Sequence, residues 1–352
     1  MTKTTRMTAE QALHQALREE LGRDPRVLLM GEGVATKHRD LADDFGAARV
    51  RNTPLAEAII AGTAVGAAAS GLRPVIDLLF APFMAYAMDA LINSAGKLRY
   101  LSGGQFEFPL VAMGMTGTGW CVGAQHNHNL EAMFVHAPGL KVVMPSEPAD
   151  FKGLLKAAVR DDNPVLFFTD MGLLHQEGEV PDDADFIVPL GKAVVRRAGD
   201  DVTLVSYAKT VGVCMQAAQQ LEAHGVEAEV IDLRSLKPLD EDAVLRSLRK
   251  TGRLVIVHEA SGLCGIAAEI AALAATKAFS SLRAPVVRLT GPDAPAPSSW
   301  VLEQAAVPKA EAVMEAVENL VGGARRGDVA GWGQVRGEEG GLAHERFAGL
   351  SA

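Results

Sequence analysis

The sequence has few aromatic residues, few cysteines and no long apolar run. Phe, Trp and Tyr make up 5% of its 352 residues, so we expect an interior packed from small and aliphatic side chains. The three cysteines, Cys121, Cys214 and Cys264, are too few and too far apart for a disulfide framework, which favours a reducing compartment. No stretch approaches the roughly 18 apolar residues that a membrane span needs. The polar N-terminus does not resemble a targeting segment, so we expect a cytoplasmic protein that does not bind membranes.

Positive charge is also scarce. The chain has 34 Lys and Arg residues against 43 Asp and Glu residues, a formal charge of −9, and no Lys/Arg-rich run. Because nucleic acids and anionic membranes are bound by positive surfaces, we expect small molecules or proteins as partners and no nucleic acid. At roughly 150 residues per domain, the length predicts about two domains. A hydrophobic content of 48% is typical of a folded globular chain.

Short apolar segments alternate with helical patterns along the first half of the chain. A helix is predicted from Thr8, as its N-cap, to Gly22. Another begins with Thr53 as N-cap and Pro54 in its first turn, and it ends at Gly71. Near-continuous apolar strands between helices are typical of a parallel sheet covered on both faces. Such strands are predicted at 27–30, 74–80, 108–113, 140–144 and 165–168, with further helices at 83–100 and 148–159.

The second half repeats this alternation after a change in composition. Residues 170–185 are rich in Gly, Pro, Asp and Glu and are predicted to form a linker. Strand and helix patterns then alternate up to a last helix that ends near residue 320. The predicted fold class is therefore α/β, with two three-layer α/β/α domains at 1–180 and 190–321. Residues 322–352 are rich in Gly, Arg and Glu, and we expect this tail to be poorly ordered.

Glu57 lies in the first turn of the helix predicted at 53–71. Position alone favours a surface carboxylate that interacts with the helix dipole. The alternative is a carboxylate at the mouth of an α/β sheet, where ligands gather. Burial there would raise its pKa and let it exchange a proton with a ring nitrogen. Gly62, Gly66 and Ser70 follow at intervals of four on one face of this helix, which lets another backbone pack unusually close.

Three histidines follow a glycine-rich loop at 114–123. His126, His128 and His136, together with Cys121, resemble a set of metal ligands, so a zinc or iron site is one interpretation. No second Cys/His cluster accompanies them, and alternate residues on a strand point to opposite faces. Histidines satisfied in the core, or a single active-site acid or base, are the favoured interpretation. The loop lacks the fingerprints of dinucleotide-binding and phosphate-binding loops.

Several longer segments resemble one family of enzymes. They are NTPLAEAIIAGTAVGAAASGLRPV, INSAGKLRYLSGGQ, GAQHNHNLEAMFVHAPGLKVVMPSEPADFKGLLKAAVRDDNPV, EVIDLRSLKPLDEDAVLRS and VRLTGPDAPAPSS. In matching order, over roughly residues 7–320, the chain resembles the beta subunit of the thiamine-diphosphate-dependent decarboxylase component of 2-oxoacid dehydrogenase complexes. Pyruvate, branched-chain 2-oxoacid and acetoin enzymes are members of this family.

The resemblance implies a transketolase-like fold, with a pyrimidine-binding domain followed by a transketolase C-terminal domain. It implies an alpha2beta2 heterotetramer with active sites between alpha and beta subunits, which passes acyl groups to the lipoyl acyltransferase core of a complex. The implied cofactors are thiamine diphosphate, shared with the alpha subunit, Mg2+ bound by the alpha subunit, and K+. Single-chain relatives carry a Gly-Asp-Gly motif with a later Asn for magnesium and diphosphate, and this chain has none. The chain would therefore supply half of an active site.

The resemblance also implies roles for individual residues. Glu57 matches the glutamate that contacts the aminopyrimidine ring nitrogen and helps to form the thiazolium carbanion. Leu55 and Phe83 match cofactor-binding positions, and Phe83 would pack against the pyrimidine. His126 matches the histidine that faces the reacting end of the cofactor and assists acyl transfer to lipoamide. A structural monovalent cation is implied at five positions, largely through backbone carbonyls: Leu110, Ala158, Val159, Asp161 and Asn163.

Two segments depart from the family pattern. In segment 33–48, Gly33 stands where a second acidic residue is usual, and TKHRDLADDFG replaces a stretch that usually contains glycine and aromatic residues. In segment 169–175, Thr-Asp-Met follows Phe168, where the family usually has a glutamate and later a tyrosine. We expect the substrate and the complex partner to be the properties most affected.

Three hypotheses are consistent with these patterns. The first is a beta subunit that, with an alpha subunit, decarboxylates a 2-oxoacid such as pyruvate or a branched-chain oxoacid, or cleaves acetoin. The second is a non-catalytic assembly subunit of the same fold, suggested by Gly33 and the altered stretch after it. The third is a stand-alone metalloenzyme that uses His126, His128 and His136. The 2-oxoacid stays open, because much of the substrate pocket is expected to come from the alpha subunit.

Overall fold

The computed structural model describes residues 3–323, and most of the predicted tail lies outside the described residues. The chain divides into two compact units, which are not contiguous in sequence. The first contains Met1–Trp120, Gln125–Lys192 and Arg234–Leu239; the second contains Cys121–Ala124, Ala193–Leu233 and the chain from Asp240 onward. Among the helices of residues 3–323, none combines the length and the apolar character needed to cross a membrane.

The strands and helices alternate along most of the chain. The strands are β1 (Thr4–Thr8), β2 (Val27–Gly31), β3 (Val50–Asn52), β4 (Arg73–Phe80), β5 (Val111–Thr116), β6 (Lys141–Val143), β7 (Val165–Asp170), β8 (Glu177–Pro181), β9 (Val194–Arg197), β10 (Val202–Ser206), β11 (Ala228–Asp232), β12 (Ser235–Lys237), β13 (Leu254–Ser261) and β14 (Val287–Gly291). The α-helices are α1 (Ala9–Arg23), α2 (Val34–Lys37), α3 (Arg39–Phe45), α4 (Glu57–Ala69), α5 (Gly96–Leu101), α6 (Glu131–His136), α7 (Pro148–Arg160), α8 (Thr210–Glu222), α9 (Glu241–Thr251), α10 (Ile266–Lys277), α11 (Trp300–Ala305) and α12 (Ala310–Gly323).

The first unit is built on a seven-stranded sheet in the order β12-β6-β7-β5-β4-β2-β3. All neighbours run parallel except β12, which pairs antiparallel with β6. Leu13, Leu17 and Leu21 recur at helical spacing on α1 and are buried in one core with Phe151 and Leu155 of α7. This packing confirms the periodicity read from the sequence, because residues four apart share one helix face.

The second unit has a five-stranded sheet in the order β14-β13-β10-β11-β9. Its strands are parallel except β9, which is antiparallel to β11. Val202 and Leu204 of β10 share a core with Cys214 of α8 and with Val313 and Val317 of α12. The α/β fold class with mostly parallel sheets is therefore confirmed.

The start of α4 differs from the prediction. The helix begins at Glu57 rather than beside Thr53, and the buried Thr53 hydroxyl has no hydrogen-bond partner among the described residues. The Thr53 N–H donates to Gly31 O at 3.0 Å, which prolongs the pairing of β3 with β2. Ala56 takes the N-cap position in place of Thr53, so the sequence prediction of this cap is wrong.

Two further segments are more ordered or less regular than the sequence predicts. Part of the segment predicted as a linker forms β8, which pairs antiparallel with β1 at the polar N-terminus. Ladder hydrogen bonds and side-chain pairs, such as Thr4 with Glu179 at 2.6 Å, stabilise these strands. Met7 and Val180 pack in the core, but they are too few to form a periodic apolar pattern. The helix predicted at 83–100 is divided into a 3-10 helix (Ala81–Ala87), a π-helix (Asp89–Ala95) and α5. The sequence pattern predicted helical structure here but not the change of hydrogen-bond pattern between these helix types.

Candidate active site

Glu57 lies at the first position of α4 and faces a small pocket. The pocket is lined by Glu57 together with Glu32, Leu55, Ile60, Leu79 and Phe83, among others. Glu57 is half-buried, and within residues 3–323 its carboxylate has neither a hydrogen-bond nor an ion-pair partner. A free carboxylate beside apolar and aromatic walls can accept a hydrogen bond from a planar nitrogen heterocycle.

Phe83 connects this pocket to His126. The ring centroids of Phe83 and His126 are 5.3 Å apart with the planes at 74°, and those of Phe80 and His126 are 4.8 Å apart at 90°. Edge-to-face contacts of this kind place positive ring edges against negative ring faces, and here they hold the imidazole plane in one orientation. The structure thus brings together the predicted cofactor residues Leu55, Glu57 and Phe83, with His126 next to them.

Leu79 and Asp77 are pocket residues that sequence reasoning missed. Leu79 has φ of +63°, a conformation that costs a residue with a side chain about 1–2 kcal/mol. The Asp77 carboxylate accepts a hydrogen bond from Leu79 N at 2.9 Å, which stabilises this turn at the end of β4. Strain of this kind clusters at functional sites. A signal for Asp77 exists in the sequence, because it is an acidic residue in the otherwise apolar run PVIDLLF, but no pattern predicts a left-handed leucine.

The histidines proposed as metal ligands are not assembled. His126 is half-buried in the aromatic cluster, whereas His128 and His136 are exposed. The His128 backbone carbonyl accepts from the Thr116 hydroxyl at 3.1 Å. In the part of the chain that the structure describes, no three His, Cys, Asp or Glu residues are grouped to hold a metal ion. The alternative interpretation as a zinc or iron site, which the sequence did not favour, is therefore wrong for the described residues, because the side chains lie in different surroundings despite their short spacing.

The residues predicted to hold a monovalent cation lie around the turn after α7, where an arginine donates hydrogen bonds to backbone carbonyls. Arg73 of β4 donates to Val159 O at 3.0 Å and to Asp161 O at 3.2 Å. The same guanidinium donates to the Asp162 carboxylate at 2.5 Å. Two carbonyls of the predicted ligand set therefore already accept hydrogen bonds from a cationic side chain.

The other predicted cation ligands also accept hydrogen bonds. Leu110 O accepts from a backbone N–H at 2.8 Å, and Ala158 O accepts from another at 3.3 Å. Arg99 donates to the Asn163 side-chain oxygen at 2.8 Å, and Lys141 pairs with the Asp161 carboxylate. Three cationic side chains, including Arg73, thus surround this turn. The monovalent cation site stays a prediction, since a carbonyl oxygen that accepts one hydrogen bond keeps a second lone pair.

The small residues of α4 form part of an open face. A Cβ atom added at Gly62 or Gly66 would meet no atom within 4 Å, so this stripe packs against nothing in the described chain. Beside it, Leu55 and Ile59 are each 70% exposed, and Tyr86 is 73% exposed. An apolar face of this kind is typical of a surface that another polypeptide covers.

Comparison with known proteins explains this arrangement. Residues 5–176 match the transketolase pyrimidine-binding domain, and residues 191–313 match the transketolase C-terminal domain. The chain is 47% identical over 322 residues to the mitochondrial pyruvate dehydrogenase E1 component subunit beta of Caenorhabditis elegans, which covers 89% of this chain and 92% of the relative. The chain belongs to the family of E1 beta subunits. This confirms the resemblance found in the sequence.

Other members of the E1 beta family are almost as similar. The chain is 42% identical to the beta subunit of acetoin:2,6-dichlorophenolindophenol oxidoreductase of Bacillus subtilis (strain 168), over 90% of this chain and 97% of the relative. It is 43% identical to the 2-oxoisovalerate dehydrogenase subunit beta of the same organism, over 82% and 90%. Among solved structures, a split-gene transketolase described as an inactive beta4 tetramer matches with a TM-score of 0.74 and 26% identity, covering 90% of this chain and 98% of that chain.

Proposed function

We propose that this E1 beta subunit is one half of a thiamine-diphosphate-dependent 2-oxoacid dehydrogenase, active only with an alpha subunit. The reaction would be oxidative decarboxylation of a 2-oxoacid, such as pyruvate or a branched-chain oxoacid, and reductive acylation of a lipoyl domain. The observation that carries this proposal is the convergence of Leu55, Glu57, Phe83 and His126 in a chain that is 42–47% identical to several E1 beta subunits.

The side chains that line the Glu57 pocket suit an aminopyrimidine ring, because they place a carboxylate beside apolar and aromatic walls. When bound, thiamine diphosphate supplies a carbanion that attacks the substrate carbonyl and stabilises the resulting negative charge. Glu57 would accept a hydrogen bond from the pyrimidine and exchange a proton at its ring nitrogen. Leu55 and Phe83 would hold the ring plane and exclude water from the Glu57 carboxylate, whose interaction with the ring strengthens in the drier pocket.

His126 would act at the reacting end of the site. Its edge contacts with Phe80 and Phe83 fix the imidazole plane, and an imidazole can both give and take a proton near neutral pH. We assign it the proton transfers that accompany acyl transfer to the lipoyl sulfur. This role predicts that the loss of His126 affects acyl transfer more than decarboxylation.

The alpha subunit would complete the site. The chain has no Gly-Asp-Gly motif with a later Asn for magnesium and diphosphate, so the alpha subunit would hold Mg2+ and the diphosphate end of the cofactor. The open face of α4, with Ile59 and the Gly62–Gly66 stripe, is the surface we propose for contacts within an alpha2beta2 heterotetramer. The inactive tetramer of a related split-gene transketolase consists of beta chains, which agrees with the expectation that this chain is inactive alone.

The test is reconstitution with an alpha subunit, followed by 2-oxoacid-dependent dye reduction. We expect activity only in the presence of both subunits, thiamine diphosphate and Mg2+. Glu57→Gln should lose most turnover, at least about a hundredfold, while the heterotetramer still assembles. His126→Ala should reduce lipoyl acylation more than decarboxylation, and His128→Ala, at an exposed position of the same loop, should change neither. A fully active Glu57→Gln variant would contradict the role of Glu57.

Acetoin cleavage is the second candidate function. It is supported by the B. subtilis acetoin enzyme, of which this chain covers 97%. Dye reduction by the reconstituted complex with pyruvate, branched-chain oxoacids and acetoin separates the two. A folded heterotetramer that binds no thiamine diphosphate and oxidises none of these compounds would instead indicate a non-catalytic assembly subunit.

A further inference from the structure

A second cavity of the first unit lies beside the Glu57 pocket, near the carboxyl ends of β4, β5 and β7. Its volume is about 220 Å³. Since an apolar protein cavity of about 150 Å³ accepts benzene, there is room for one small organic molecule with a polar end. Glu57, Leu55, Phe83 and His126 do not line this cavity.

The walls of the cavity are mostly apolar. They include side chains from α1, β2, β5 and the loop that follows β5, namely Leu13, Leu17, Leu29, Met113, Met115 and Trp120. Leucine and methionine side chains surround an aliphatic group without directional demands, and methionine adapts its shape to the group it contacts. The body of a ligand that fills this space is therefore aliphatic or a thioether.

The polar end of the cavity carries charges of both signs. Lys37 and Asp77 both line it, with Lys37 Nζ 3.5 Å from the Asp77 carboxylate. Glu10 also lines the cavity and is exposed to solvent. With Asp77 and Glu10 against Lys37, the lining has an excess of negative charge, which disfavours a simple carboxylate anion. Asp77 or Glu10 can accept hydrogen bonds from an ammonium group of a ligand, and Lys37 can donate hydrogen bonds to a carboxylate.

His38 adds a neutral hydrogen-bond acceptor to the same end. Burial is the main cause that lowers its pKa to about 4, so the ring is uncharged at neutral pH. His38 Nδ1 lies 3.0 Å from His14 Nδ1, and His14 Nε2 lies 2.8 Å from the Asp40 carboxylate. The tautomers that satisfy both contacts have His14 donating to Asp40 and His38 donating to His14, which leaves His38 Nε2 as an acceptor.

We propose that this cavity binds a zwitterionic α-amino acid with an aliphatic or thioether side chain. The carboxylate of the amino acid pairs with Lys37, its ammonium group pairs with Asp77 or Glu10 and with His38, and its side chain contacts the leucine and methionine walls. The two segments that depart from the family pattern meet here, since Lys37 and His38 belong to 33–48, and Thr169 and Leu174 of 169–175 also line the cavity.

Occupation of the cavity is coupled to the Glu57 pocket by shared residues. Asp77 and Leu79 line both, and the hydrogen bond from Leu79 N to Asp77 supports the left-handed backbone of Leu79. An amino acid that competes with Lys37 for Asp77 changes the support of this turn. Coupling between two sites is reciprocal, so the ligand and thiamine diphosphate alter each other's affinity. This coupling, unlike the binding itself, rests on the proposed function.

Binding is tested by calorimetric titration of the full chain at neutral pH. L-leucine is the probe, and glycine, 4-methylpentanoate and 3-methylbutylamine each lack one of its three recognition groups. We expect L-leucine to bind at least about tenfold more tightly than each of the three, a difference of about 1.4 kcal/mol. No binding of L-leucine, or equal binding of 4-methylpentanoate, would overturn the proposal.

Two variants locate the site. Lys37→Met should weaken L-leucine binding about tenfold or more, whereas Arg39→Met, which removes an exposed charge two residues away and outside the cavity lining, should leave it unchanged. Leu17→Phe should fill the cavity and abolish binding; if that variant does not fold, the comparison of Lys37→Met with Arg39→Met carries the test. Equal binding by Lys37→Met and the parent chain would overturn the assignment of the site.

The coupling is tested on the complex with an alpha subunit. Titration of thiamine diphosphate with and without saturating L-leucine should give dissociation constants that differ several-fold, and the difference should vanish in Lys37→Met. Identical constants would overturn the coupling. A complex that binds no thiamine diphosphate at all would contradict the proposed function, while leaving the calorimetric result on the single chain intact.

Discussion

Replacing His258 isolates the effect of one buried imidazole on the acid stability of the second unit. His258 of β13 is fully buried, and its ring stacks on Tyr207 with the centroids 5.6 Å apart. Its Nε2 accepts a hydrogen bond from Ala267 N at 3.3 Å, at the start of α10. Burial is the largest cause that lowers its pKa from 6.5 to about 4. The folded chain therefore holds this ring in its neutral form.

The direction of the pH effect follows from proton binding. The unfolded chain takes up a proton at His258 near pH 6.5, and the folded chain does so only near pH 4. The contribution of His258 to the free energy of unfolding is therefore fully present above about pH 6.5. It is lost as the pH falls toward 4, because proton binding by this imidazole favours the unfolded state. At about 1.4 kcal/mol per pKa unit, the complete loss is about 3 kcal/mol. About 2 kcal/mol of it should be lost by about pH 5.

Urea unfolding at about pH 7.5 and about pH 5 measures this loss. His258→Gln keeps an acceptor for Ala267 N but does not titrate. Between the two pH values, its free energy of unfolding should therefore fall by about 2 kcal/mol less than that of the parent chain. His175→Gln, at an exposed position, is the matched control and should behave as the parent. Hydrogen exchange in peptides from β13 and α10 assigns the change to the second unit. Equal losses in the parent and His258→Gln would refute the reasoning.

Three further experiments test the packing. Arg73→Met should lower the free energy of unfolding by about 2 kcal/mol. It should also increase the difference between the melting temperatures measured in KCl and in choline chloride. An unchanged difference would refute a cationic role for Arg73. Gly139→Ala should unfold or severely destabilise the chain, since φ of Gly139 is +86° and an added Cβ would lie 1.7 Å from a carbonyl oxygen. Gly22 lies on α1 with open space around it, so Gly22→Ala should raise the free energy of unfolding by up to about 1 kcal/mol. Iodoacetamide should modify exposed Cys264 and spare buried Cys214, whose pKa burial raises to about 12; modification of Cys214 in folded chain would contradict its burial.

The apolar patterns of the sequence predicted much of the fold, because an apolar pattern reports which side chains are buried. The leucines of α1 lie on one helix face, and β7 is buried at every position, as a strand in a covered parallel sheet should be. Strands made mostly of polar residues were not predicted, because they show no such apolar pattern. Strands β1 and β8 pair with each other and contribute only Met7 and Val180 to the core, so neither carries a periodic apolar signal.

The candidate site was predicted through motif resemblance more than through spacing. Position alone favoured a surface role for Glu57, and only the family segments pointed to a cofactor carboxylate. The structure then placed Glu57, Leu55 and Phe83 around one pocket with His126 beside it. The left-handed backbone of Leu79 had no signal in the sequence, because a positive φ at leucine arises from the surrounding packing and not from the residue type.

By itself, the sequence determined the alternation of strands and helices and the family, and it predicted the candidate site residues, since these depend on residue type and local order. The tertiary structure alone decided which groups lie in contact. One of the predicted cation ligands is an example: Arg73, 86 residues before Val159 in the chain, donates to the Val159 carbonyl. A contact between residues so far apart in sequence exists only in the folded chain, because only folding brings the two groups together.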